Sequence, residues 1–201
     1  MKNIDFIYDF GSPNAYLVHK VLPGIAARHG ACVRYCPILI GGVFKATNNQ
    51  PPLMAFSGVM HKIDYIRLEI DRFIRRHDVP FRFNPHFPVM TIAVMRGAVF
   101  AQGKDWEQTY TDTVFDALWL HGRKMDDPDV IAAELTKADL PAAEIMAATQ
   151  MPDIKEKLAE FTAAAVARKV FGAPTMFFGD EMFFGKDALD DLDWALGQAG
   201  A

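Results

Sequence analysis

The chain has 201 residues, 51% of them hydrophobic and 23% charged, with 21 lysines and arginines against 25 aspartates and glutamates for a net charge of −4. That length and apolar content supply one substantial core with at most an attached subdomain, and the slightly acidic balance gives no electrostatic case for nucleic acid or an anionic membrane as partner. The N-terminus lacks the pattern of a signal peptide, and no stretch approaches the roughly 20 apolar residues that cross a bilayer, so a soluble cytoplasmic protein is expected.

Ile4 to Phe10 is a short, aromatic-rich apolar run closed by Gly11, which predicts a buried strand. Ser12 follows as a helix N-cap and Pro13 takes the first helical position, where a missing N–H costs nothing. The helix so opened runs to His29, with Gly30 as its stop, and "ACVRYCPIL" reads as a second buried strand from Cys32 to Leu39. Strand, helix, strand is a βαβ unit. Cys32 and Cys36, the two cysteines of the chain, then lie about 13 Å apart along one strand. That exceeds the reach of a disulfide, roughly 4.4–6.8 Å between Cα atoms, and leaves two buried thiols as the plain reading.

From about Val43 to Lys169 strand patterns nearly vanish. Tyr65, Leu68, Ile70, Phe73 and Ile74 make a helical stripe with charged residues mostly on the other faces. Further helices are predicted at Thr91 to Gln102, Trp106 to His121, Asp129 to Ala138, Pro141 to Thr149 and Asp153 to Lys169, joined by short connectors rich in Gly, Pro or Asp. Strands return as Thr175 to Phe178 and Met182 to Phe184 around a Gly179-Asp180 turn, before a final helix from about Asp187. The sequence thus predicts an α/β fold whose sheet comes from both chain ends, residues 1–42 and 170–201, with an all-helical insertion over 43–169.

With Pro174 just before the third strand, this arrangement resembles a thioredoxin fold carrying a helical insertion, as in the periplasmic disulfide oxidoreductases and kappa-class glutathione transferases. Where the oxidoreductases carry Cys-Pro-x-Cys, this chain has Ser12-Pro13-Asn14-Ala15. With both sulfurs absent, dithiol–disulfide exchange at this motif is excluded. What remains is a hydroxyl at the positive end of a helix, able to donate to a thiolate that a ligand brings. A simple N-cap is the alternative. Action as a serine nucleophile is disfavoured: no G-x-S-x-G elbow surrounds Ser12, Asp9 lies on the strand, and His19 is about two turns down the helix.

Further segments, "DFGSPNAYL", "GGVFKATNNQPP", "HKIDYIRLEIDRFIRRHDVPFRFNPHFP", "MRGAVFAQ" and "RKVFGAPTMFFGDEMFFGKDAL", together resemble the 2-hydroxychromene-2-carboxylate isomerases over nearly the whole chain. The resemblance implies glutathione as cofactor, a small aromatic enone or hemiketal as substrate in naphthalene-type degradation, and a homodimer. It implies that Ser12 is catalytic and contacts the glutathione sulfur. Ala173 would pair with the cysteinyl main chain beside a cis Pro174, and Phe184, Gly185, Lys186 and Asp187 would hold the γ-glutamyl end. Lys45 and Asn49 fall at substrate-side positions, where a solvated loop lysine and simple turn formation are the competing readings. Where many relatives carry Asn, this chain has Met90, which implies a more apolar substrate. Product-forming glutathione transfer, or glutathione binding without catalysis, are the other functions open to such a site.

The remaining candidates take bland readings. The histidines show no ligand spacing, so no metal is expected. The Arg72, Arg75 and Arg76 cluster alternates with acids as a solvated face. Phe81, Phe83, Phe87, Phe177, Phe178, Phe183 and Phe184 are chiefly core. No glycine-rich phosphate loop points to a nucleotide.

Overall fold

The computed structural model describes residues 2–199. In chain order these form β1 (Lys2–Tyr8), α1 (Pro13–Arg28), β2 (Ala31–Pro37), α2 (Ile40–Thr47), α3 (Pro52–Ala55), α4 (Lys62–His77), α5 (Ile92–Ala101), α6 (Glu107–Trp119), α7 (Pro128–Lys137), α8 (Ala142–Ala148), α9 (Pro152–Ala167), β3 (Thr175–Phe178), β4 (Glu181–Phe184), a 3-10 turn (Lys186–Ala188) and α10 (Leu189–Gln198). The strand order is β2-β1-β3-β4, with β1 and β2 parallel across the α1 crossover and the other pairs antiparallel. This is the thioredoxin fold, and between α2 and α9 the described residues hold helices alone. The expected bounds of 1–42 and 170–201 include Met1, Gly200 and Ala201, which lie outside the described residues.

The antiparallel register pairs Ile4 with Phe178 and Ile7 with Thr175, so β3 begins beside the end of β1. The loop leaving β1 and the loop entering β3 therefore meet at one sheet edge. The Ala173–Pro174 peptide there is cis, as is Phe87–Pro88. Pro174 O accepts from Gly185 N at 2.9 Å, which continues the β3–β4 ladder by one rung.

A continuous core joins sheet and insertion: Phe6, Tyr8 and Phe10 from the first strand and its exit pack with Val94, Met95, Phe115 and Trp119. Phe10 and Phe115 meet edge-on at 4.7 Å and His19 stacks on Phe115 at 4.7 Å. Burial of each such aromatic contributes roughly 1.5–3 kcal/mol.

Three expectations need correction. β2 is an edge strand with one hydrogen-bonded neighbour; its residues are mostly half-buried or exposed, so Cys32 is exposed and Cys36 half-buried rather than a buried pair. Two short helices, α2 and α3, escape sequence reading because "IGGVFKAT" carries two glycines and its N-cap, Leu39, offers no capping side chain. The α4 stripe is only partly covered: Phe73 is buried, yet Tyr65 and Leu68 are 46% and 41% exposed.

Candidate active site

Ser12 caps α1 with extended backbone, φ −93° and ψ 116°, and its Oγ accepts from Ala15 N at 3.2 Å. Pro13 at the first helical position removes one N–H that would otherwise need a partner. The first turn of α1 contains no acidic residue, so no side chain of the 16-residue helix itself offsets its positive end at the hydroxyl. From the facing loop Ala173 brings its carbonyl, which accepts the Ser12 hydroxyl at 3.1 Å. No hydrogen bond to the Ala173 N–H exists among the described residues. Ala173 therefore presents an open backbone edge beside Ser12.

Aromatic rings border that edge. Phe171 and Phe184, each partly exposed, meet at 4.4 Å, and Gly172 lies so close under Phe184 that a Cβ there would stand 2.9 Å from Phe184 Cε2. Asn49 joins the group by donating Nδ2 to Phe171 O at 2.8 Å while its Oδ1 accepts from Gln50 N at 2.8 Å. Its amide is thus spent on locking the loop before Ala173. Asn48 adopts the left-handed conformation, φ 54°, as the C-cap of α2.

The γ-glutamyl candidates divide. Gly185 has φ +84° and opens the turn into α10. Lys186 is 3% exposed, its ammonium paired with Asp187 and set 5.5 Å from the Phe73 ring centroid. The Asp187 carboxylate itself is exposed and does not cap the turn. A ligand can reach Asp187 and the backbone of Phe184 to Lys186, but not the Lys186 ammonium without breaking its pair. Lys45 sits in the last turn of α2, not in a loop; it is exposed and forms no ion pair among the described residues. Nothing in the structure holds it against Ser12.

Sequence reading missed the role of Asp9. It lies just past β1, fully buried, with Oδ1 accepting from Gly11 N at 2.9 Å and Thr91 Oγ1 at 2.7 Å and Oδ2 accepting from Ile40 N at 2.9 Å. One carboxylate thus ties together the turn before Ser12, the start of α2 and the start of α5. Burial pushes its pKa up, against the opposing pull of those three donors. Ser12 N also donates to Asp9 O at 3.0 Å. The short run Asp-Phe-Gly-Ser carries a signal only in hindsight, since an acid after an apolar strand usually marks a solvated turn. Neither Asp9 nor His19 serves Ser12 as a base. The carboxylate is occupied as above, and the His19 nitrogens lie 2.8 Å from Tyr35 Oη and 2.9 Å from Asp112 Oδ1. Asn14 was also missed; its Oδ1 is buried two residues from Ser12 without a hydrogen-bond donor among the described residues.

Fold and site define a thioredoxin-like protein whose first helix opens on Ser12-Pro13-Asn14-Ala15, without a cysteine. A model of the DsbA-like thioredoxin domain matches residues 3–197. The chain is 30% identical over 197 residues to a 2-hydroxychromene-2-carboxylate isomerase of Pseudomonas putida, covering 97% of this chain and 94% of that protein. A solved structure of a 2-hydroxychromene-2-carboxylate isomerase agrees with a TM-score of 0.86 at 30% identity, over 98% of this chain and 95% of the other. A glutathione S-transferase kappa 1 of Rattus norvegicus is 26% identical over 209 residues, 97% of this chain and 91% of that one. The chain belongs to the DsbA-like thioredoxin family and, within it, to the 2-hydroxychromene-2-carboxylate isomerases.

Proposed function

We propose that the protein is a glutathione-dependent isomerase that interconverts 2-hydroxychromene-2-carboxylate and trans-o-hydroxybenzylidenepyruvate, or a related arylidene pyruvate. The observation that carries the reading is the Ser12 hydroxyl, 3.1 Å from Ala173 O at the α1 N-terminus, beside a backbone N–H that no described residue accepts. Such an open edge accepts an extended peptide in strand fashion, which suits the cysteinyl main chain of glutathione.

Glutathione, when bound, supplies the nucleophilic sulfur that the Ser-Pro-Asn-Ala motif lacks, for reversible addition to a conjugated carbon of the substrate. Ala173 and Pro174 fix the peptide. The exposed Asp187 carboxylate pairs with its α-ammonium, and backbone N–H groups from Phe184 to Lys186 take its α-carboxylate. The Ser12 hydroxyl rotates from Ala173 O toward the sulfur without heavy-atom movement, since a hydroxyl carries a single donor on a free rotor. Lowering a thiol pKa by roughly two units takes about 2.7 kcal/mol of preferential anion stabilisation, within reach of one charged hydrogen bond and a helix terminus. Phe171 and Phe184 wall the planar substrate, Asn49 holds the Phe171 wall in place through its amide, and Lys45 and Met90 take the substrate side, with the Lys45 ammonium offered to the substrate carboxylate.

The reading places the protein in the cytoplasm, where glutathione is held reduced, and no helix among the described residues is long and apolar enough to cross a membrane. It also makes the protein a homodimer. The face we assign to the second copy holds Leu53, Met54, Val59, Met60 and Leu68, 41–82% exposed. Charged residues of both signs, Arg67, Glu69, Asp71 and Arg72, lie along α4 beside it. Sedimentation of Met60→Glu/Leu68→Glu should show a monomer where the wild type is dimeric; an unchanged dimer moves the interface elsewhere.

Calorimetry with glutathione, followed by an ultraviolet assay on the benzylidenepyruvate, tests the function. Turnover with glutathione unconsumed supports the isomerase. The kappa-class relative at 26% identity favours a transferase as second reading, and a stable conjugate with a halogenated electrophile would establish that one instead. Glutathione binding with no thiolate absorbance would leave a non-catalytic module.

A further inference from the structure

A cavity of about 530 Å³ lies between α2, α5 and α9, and none of Ser12, Ala173, Pro174 or Phe184 lines it. Its volume falls in the roughly 300–1,000 Å³ range of small-molecule sites. The hollow arises from short side chains on two closely crossing helices. A Cβ on Gly42 of α2 would stand 3.0 Å from Thr162 Cγ2 of α9, and Ala46, Ala159 and Ala163 leave the space beside that crossing unfilled. Leu39, Ile92 and Leu158 make the walls apolar. The Thr162 hydroxyl is already used, accepting from Leu39 N at 3.0 Å and donating to Leu158 O at 2.7 Å.

Two charged side chains line the cavity, Arg96 and Lys155, and both are cations. Neither forms an ion pair with an acid among the described residues. Arg96 makes a single long contact, Nη1 to Thr149 O at 3.4 Å, which leaves most of its five donors open. Two like charges beside an apolar hollow with no protein counter-ion call for an anion whose body is apolar.

We propose that this cavity is a second ligand site, separate from the one at Ser12, that takes a small amphipathic monocarboxylate. Arg96 and Lys155 hold the carboxylate, and the apolar body lies against Leu39, Ile92 and Leu158. An uncharged molecule of the same shape gains the walls but not the cations.

The test is calorimetric titration of the full chain with naphthalene-2-carboxylate, using naphthalene-2-methanol as the uncharged counterpart. The acid should bind at least tenfold more tightly than the alcohol. Arg96→Met and Lys155→Met should each weaken the acid by about tenfold, the loss of one charge-assisted hydrogen bond. Ala163→Phe should abolish binding by filling the hollow; should that variant not fold, the two cation variants decide alone. Ser12→Ala and Lys45→Met should leave the affinity unchanged. Equal binding of acid and alcohol, an unchanged affinity in both cation variants, loss of binding in Lys45→Met, or no heat at millimolar acid would each overturn the proposal. Dependence on Arg96 and Lys155 marks this cavity and dependence on Lys45 marks the substrate side of the Ser12 site, so the variants separate this proposal from the isomerase reading.

Discussion

Trp119 donates its indole N–H to the carbonyl of Phe10 at 2.7 Å, and both residues are buried. The bond joins the last residue of α6 to the turn that leads into Ser12. The same turn receives Thr91 through Asp9 at 2.7 Å and contacts Met95 Sδ through Phe10 N at 3.3 Å. The helical insertion therefore supports the turn from one side while the sheet supports it from the other.

Trp119→Phe keeps the apolar volume but leaves Phe10 O without this donor. A buried carbonyl deprived of its partner costs about 1–3 kcal/mol, so urea unfolding should show a loss of that size. Because that carbonyl belongs to the turn before Ser12, the affinity for glutathione should fall as well; an unchanged affinity would detach the insertion from the site.

Ser12→Ala should raise the pKa of bound glutathione thiol by about one to two units, the equivalent of a charged hydrogen bond, as read from ultraviolet thiolate absorbance against pH. Calorimetric affinity should change much less, since Ala173, Pro174 and Asp187 still hold the peptide. A bound-thiol pKa equal to wild type would reject the assigned role.

Gly172→Ala forces a methyl to within 2.9 Å of Phe184 Cε2, so the Phe184 ring must shift from its 4.4 Å packing on Phe171. The ring is 45% exposed and can move outward, so the thermal midpoint should drop by only a few degrees, about 1 kcal/mol of overpacking. Substrate KM should rise while the bound-thiol pKa stays at its wild-type value.

Asp5 connects acid stability to the sheet. Burial acts to raise its pKa, but Arg34 Nη2 at 2.6 Å and Arg168 Nη1 at 2.8 Å prevail and hold it below the ordinary carboxylate range. A carboxylate lowered in the folded state contributes stability above its unfolded pKa, and that contribution fades as pH falls through the folded value. Asp5→Asn should therefore lower the thermal midpoint at pH 7, and the gap to wild type should shrink steadily below about pH 4. A gap independent of pH would show that packing, not charge, is what the substitution removes.

Burial pushes the Cys36 thiol up to about 11. Only the thiolate alkylates at a useful rate, so iodoacetamide labelling of the Cys36 peptide should be slow at pH 8 and climb until about pH 11, as mass spectrometry can follow. A plateau near pH 9 would mean that the half-buried side chain is effectively solvated.

Local chemistry was legible where it is dictated by neighbours in the chain. Ser12 followed by Pro13 declares a helix start, and the Thr175 to Phe178 run flanked by Pro174 and Gly179 declares a short strand, both as found. Reading failed where burial depends on what lies across space. Cys32 and Cys36 sit in an apolar run, yet β2 has a neighbour on one edge only. Lys45 looked like a loop residue because α2 lacks a cap and is stabilised chiefly from outside, through Ile40 N on Asp9 and Val43 packed against Ile7 and Phe177. The Lys186 side chain looked like a solvated loop cation, yet its ammonium is buried against Asp187 and the Phe73 face, so that only its backbone is left for a ligand.

By itself the amino-acid order determined the alternation of elements, the missing sulfurs of the first-helix motif and the hydroxyl at a positive helix end, because these depend on interactions within a few residues. Tertiary structure alone decided that Ser12 meets Ala173, 161 residues away, at 3.1 Å, and that the Asp9 carboxylate is buried beneath the same turn. Those facts follow from the register of β1 against β3 and from the insertion closing over the turn. Register and closure are properties of the packed whole, set by which apolar faces bury one another.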